Sequence, residues 1–113
     1  MRKLTQPTVR QRDDLVALRY TEQARSDLIG IHHAISDSSQ SSANMWVRRI
    51  TDRCLQLVPF PLSGPVRPKI APDARVLVIE RWVIIYRLLE DGPQIVRIID
   101  GARDLSGLDL PLE

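Results

Sequence analysis

Nine cationic or aromatic side chains crowd the second half of the chain: Arg67, Lys69, Arg75, Arg81, Trp82, Tyr86, Arg87, Arg97 and Arg103. Gathered on a sheet face, Arg and Lys could grip phosphates or stabilise the charge that develops as a phosphodiester is cleaved. Taken singly, Arg87 and Arg97 read as ordinary solvated strand residues. Trp82 and Tyr86 stand four apart on an extended stretch and so share a face, more often as core than as a platform for stacked bases.

Other chemistry is sparse. His32 and His33 are adjacent on a helical stretch, where neighbours point about 100° apart, so they cannot share one metal as an i, i+4 pair could. Cys54 is the only cysteine, which excludes an intrachain disulfide, and its helical spacing to apolar neighbours makes it a small core residue. Gly-rich phosphate loops, CxxC pairs and GxSxG elbows are missing, and neither a metal nor a cofactor is expected. The net charge of +2 is too small to imply nucleic-acid binding by itself, although residues 64–103 carry seven Arg or Lys against five acids. No run approaches the ~20 apolar residues of a membrane span, and residues 1–14 lack the apolar core of a secretory signal. A cytoplasmic protein with no membrane partner is expected.

The elements that must position these side chains are legible from periodicity. Residues 1–14 are polar, basic and without period, and read as a loose arm preceding one domain over 15–113. A short strand at 15–20 leads to Thr21, whose hydroxyl can cap a helix over 22–36. There Ala24, Leu28, Ile31 and Ile35 form a single stripe, and after the serine-rich joint at 36–42, Ala43, Val47, Ile50, Cys54 and Leu57 repeat it over 41–58. Five prolines make 59–73 irregular. Residues 74–79, 82–89 and 94–99 then read as three antiparallel strands, with turns at Glu80-Arg81 and before Pro93. The expected fold is a two-layer α+β domain of order β-α-α-β-β-β, its N-terminal strand and αα-hairpin packed on an antiparallel sheet.

The last strand runs into IIDGARDLSG, residues 98–107. A glycine at position 101 permits a positive φ and could re-aim the chain, holding Arg103 at the rim. The alternative is a structural pair of Arg103 with Asp104 or Asp100.

The order of these pieces resembles the RelE/ParE superfamily of type II toxins over about residues 16–105. The resemblance is carried by Ala24, Asp27 and Leu28 after the first strand, by the segment from Pro59 to Gly64, by Arg75 and Leu77, by Ile84 and Tyr86, and by Gly101, Arg103 and Asp104. RelE-like members look like ribosome-dependent messenger-RNA endonucleases, whereas ParE-like members are similar in fold and poison DNA gyrase. The resemblance implies that the nuclease branch carries an arginine where this chain has Val83 and an aromatic or histidine near the C-terminus for proton transfer, where this chain reads SGLDLPLE. Only Lys69, Arg75 and Arg103 remain for a cleavage site, so the resemblance implies the ParE-like branch.

That branch implies a non-enzymatic toxin that inhibits gyrase and is neutralised in a hetero-oligomer with a ParD-like, ribbon-helix-helix antitoxin, with no sequence-specific DNA binding of its own. Contacts to target or antitoxin are expected at Arg67, Arg75, Trp82, Tyr86 and Arg103. In the family the closing motif commonly begins with histidine, where this chain has Asp100. An inactive member that only binds antitoxin would share all these features.

Overall fold

A computed structural model describes residues 17–102, 105 and 110. Thr21 shows how the first layer is joined to the second. Its backbone is extended, its Oγ1 accepts from the Ala24 N–H at 3.0 Å, and the same hydroxyl donates to the Val96 carbonyl at 2.9 Å. One side chain therefore caps helix α1 (Glu22–Ser36) and ties it to strand β4 (Gly92–Asp100). Thr21→Ala removes a cap and a buried bond together and is expected to cost about 2 kcal/mol. Ser39 caps α2 (Gln40–Leu55) through Ser42 alone, so Ser39→Ala should cost about 1 kcal/mol. Urea unfolding of the two variants measures the difference.

The two helices form the expected hairpin. Helix α2 ends three residues sooner than the apolar stripe does: Leu57 and Val58 continue in tightened turns, their N–H groups bonded to Cys54 and Leu55. Pro59 explains this, because it disfavours helical backbone at the residue before it. Leu57 nonetheless remains fully buried.

Strands β2 (Arg75–Ile79), β3 (Trp82–Leu89) and β4 form the antiparallel meander. Both hairpin turns have two residues, Glu80-Arg81 and Glu90-Asp91. Glu80 takes φ 56°, a region costly for a residue with a Cβ, and Arg49 of α2 holds its carboxylate at 3.1 Å. Strand β1 (Arg19–Tyr20) is shorter than the 15–20 expectation within the described residues and lies parallel to β4, giving a mixed sheet of order β1-β4-β3-β2. A parallel pairing was invisible locally, because it depends on the chain crossing over through both helices.

One sheet face meets the helices. Ala24, Ile31, Ile50, Cys54 and Leu57 pack there with Leu77, Trp82, Ile84, Tyr86, Ile95 and Ile98. The other face carries a second apolar layer, Val76, Val83, Ile85, Val96 and Ile99, covered by Ile70, Ala71, Leu105 and Leu110. Opposite Ile85-Tyr86 the register skips Val96. This bulge leaves the carbonyl that Thr21 takes.

Candidate functional site

Asp27, the Pro59–Gly64 segment, Arg75 and Tyr86, which carry part of the resemblance, fall into two structural nodes. The first joins α1 to β4 beyond the end of β1. Asp27 accepts from Arg97 through both carboxylate oxygens, at 2.8 and 3.1 Å, and from the Ile98 N–H at 2.9 Å. Both side chains are 10% exposed. Arg97 is thus a buried partner of a helix carboxylate, which corrects the reading of it as a solvated strand residue. Arg87 departs from that reading too: it bridges to Asp73 at 3.0 Å and keeps a buried Nε.

The second node fixes the irregular segment after α2. The Tyr86 hydroxyl accepts from the Gly64 N–H at 2.8 Å and donates to the Pro61 carbonyl at 2.7 Å. Arg75 donates to the Gly64 carbonyl at 2.7 Å. Gly64 is required by close approach: a Cβ there would lie 2.6 Å from the Val76 carbonyl oxygen and 2.8 Å from Tyr86 Cε1. Tyr86 is fully buried and Trp82 nearly so, so in this structure their rings are core, and Tyr86 positions the loop above it. Phe60 and Leu62, on that loop, are 65% and 66% exposed. Sequence reasoning passed over both; the signal was an uncharged run, residues 57–66, in a chain that is 27% charged.

The residues named for a nuclease are placed separately. Lys69 and Arg67 are exposed, Arg75 is committed to Gly64, and Arg103 lies outside the described residues, as do Asp104 and most of the tail. Val83 sits in the apolar layer of the second sheet face.

The exit of β4 is organised by Asp100. Its carboxylate accepts from the Ala102 N–H at 3.0 Å and from Arg81 at 2.6 Å, while the Gly101 N–H reaches the Arg81 carbonyl at 2.7 Å. The Ala102 N–H, then Arg81, hold the Asp100 carboxyl below the usual carboxylate range. Arg81 also stacks on Trp82, 4.6 Å from the ring centroid. Gly101 does not take the positive φ expected of it. Among the described glycines only Gly92 does, and at position 101 a Cβ would instead lie 3.0 Å from the Arg81 carbonyl oxygen.

Two remaining polar groups are accounted for by packing. Burial pushes the Cys54 thiol up to about 11, fitting an inert core residue. His32 shares a hydrogen bond of 2.7 Å with Asn44 across the helix hairpin. Beside it, Leu28, Ile29, His33 and Val47 line a shallow groove on the outer side of the helices.

The scaffold is thus a helix hairpin on a four-stranded mixed sheet. A family model described as the ParE toxin of the type II toxin-antitoxin system, parDE, matches residues 18–105. The chain belongs to the ParE toxin family. Among solved structures it is similar to one titled "Chromosomal ParDE TA system from P. aeruginosa", at 25% identity and a TM-score of 0.66, over 78% of this chain and 98% of that one. No curated protein matches.

Proposed function

We propose that this toxin acts by binding and inhibiting DNA gyrase, arresting growth in the cytoplasm, and that a ParD-like ribbon-helix-helix antitoxin neutralises it in a hetero-oligomer. The observation that supports this reading is Val83 within an apolar layer. Cleaving RNA at a 2′-hydroxyl calls for a general base and cations around the scissile phosphate, whereas Val83 and the side chains packed with it are apolar among the described residues. What remains is a surface suited to gripping a protein. No described helix is long and apolar enough to cross a membrane, which is compatible with a cytoplasmic target.

The groove beside His32 suits the antitoxin. An amphipathic helix laid there would bury Ile29, which is 69% exposed, against its own apolar stripe, the helix-in-groove mode of recognition. Arg67 and Arg103 remain proposed contacts of the toxin with its target or its antitoxin, and Arg75 serves by fixing the loop.

The test compares the two branches of the superfamily directly. The purified chain is added to DNA gyrase with relaxed plasmid, and separately to programmed ribosomes with primer-extension readout. Loss of supercoiling with intact transcripts is expected. Transcripts cut in the ribosomal A site would overturn the reading.

A further inference from the structure

We propose that the loop at residues 59–63 is the toxin's contact with gyrase, with Phe60 and Leu62 entering an apolar recess whose rim carries carboxylates. This rests on the gyrase reading above and names the surface that performs it.

The loop is tied down by hydrogen bonds yet displays its largest apolar side chains. Tyr86 bonds both Gly64 and Pro61, Arg75 bonds Gly64, and Ser63 Oγ donates to the Phe60 carbonyl at 2.7 Å. Pro59, Pro61 and Pro65 restrict the backbone further. Two buried or half-buried polar side chains are thus committed to a segment whose Phe60 and Leu62 contribute little to the core. A rigid apolar pair loses little conformational freedom on association, which is how a few side chains come to dominate an interface.

Shape and charge select the occupant. Residues 59–63 line an open apolar surface of their own, made of other residues than the groove at Leu28, Ile29 and Val47 that suits the antitoxin, and Phe60 and Leu62 stand exposed on it. No charge lies within residues 57–66, and immediately beyond them Arg67 and Lys69 are exposed, with no ion pair among the described residues. From Leu62 to Lys69 the chain spans at most about 25 Å, within the footprint of one protein interface. An apolar centre flanked by unpaired cations matches an apolar recess with an acidic rim.

The test uses the purified full chain, DNA gyrase holoenzyme and relaxed plasmid. Phe60→Ala with Leu62→Ala is expected to raise the concentration for half-inhibition of supercoiling about 30-fold or more, with the thermal midpoint within about 2 °C of wild type, since both side chains are exposed. Phe60→Leu with Leu62→Met should recover most of the inhibition. Arg67→Glu with Lys69→Glu should weaken it and flatten its dependence on salt. If the double alanine variant inhibits as the wild type does, the loop is idle and this inference falls while the gyrase reading stands. A wild-type chain that leaves supercoiling untouched overturns the gyrase reading, and this occupant with it.

Discussion

Asp27→Ala is expected to cost the fold about 3–5 kcal/mol, close to half of what a domain of this size has to lose. The carboxylate sits at 10% exposure with Arg97 equally buried, and it also accepts from the Ile98 N–H. Truncation leaves a guanidinium in the protein interior without its carboxylate and a backbone donor without its acceptor. The first is the dominant loss, because a buried guanidinium that loses a bidentate carboxylate keeps its desolvation penalty and forfeits that part of the attraction that offset it. A fall of about 15 °C in the thermal midpoint follows. Replacing both partners, Asp27→Leu with Arg97→Met, removes the buried charge as well and should recover most of the loss. The Ile98 N–H then remains unpaired, so about 1–3 kcal/mol should persist. If the single variant melted within about 3 °C of wild type, water would have to be reaching the pair, and the tie between α1 and β4 would be of little weight.

The ion pair marks where sequence reasoning stops. Asp27 was singled out from the resemblance, yet its partner lies 70 residues away, and nothing local to VRIID separates a buried Arg97 from a solvated one. Periodicity did reveal elements whose cause is local: the stripe of Ala24, Leu28, Ile31 and Ile35, the turn at Glu80-Arg81, and the strands on either side of it. It overran where two local signals compete, as at Leu57, whose apolar side chain stays in the stripe while Pro59 ends the helix. Gly101 was misread because a glycine has two uses, a positive φ or room for a neighbouring backbone, and only the fold decides which. Trp82 and Tyr86 share a face as their spacing required; that the face is the helix-covered one depended on which layer the hairpin chose. The exposed loop at Phe60 was least legible, since an apolar run between prolines reads equally well as core.

Gly64→Ala and Gly30→Ala should have effects of opposite sign, although each adds one methyl group. At position 30 a Cβ meets nothing within 4 Å, and the site is an exposed helix interior. Alanine there relieves glycine's backbone entropy and is expected to stabilise by about 0.8–1 kcal/mol. At position 64 the new Cβ would fall 2.6 Å from the Val76 carbonyl oxygen and 2.8 Å from Tyr86 Cε1. Neither neighbour yields easily: one is β2 backbone and the other belongs to a fully buried ring. Relief requires the 59–64 segment to lift, breaking the bonds that Tyr86 and Arg75 make to Gly64. Overpacking and the lost bonds together should cost about 3 kcal/mol or more. Tyr86→Phe separates the two contributions, because it removes the hydroxyl and leaves the ring. It should cost about 1–3 kcal/mol by orphaning the Gly64 N–H and the Pro61 carbonyl. It should not rescue Gly64→Ala, since the clash with the Val76 oxygen persists. Urea unfolding of the four chains closes the cycle, and a Gly64→Ala loss below about 1 kcal/mol would mean the loop stands farther from β2 than the geometry places it.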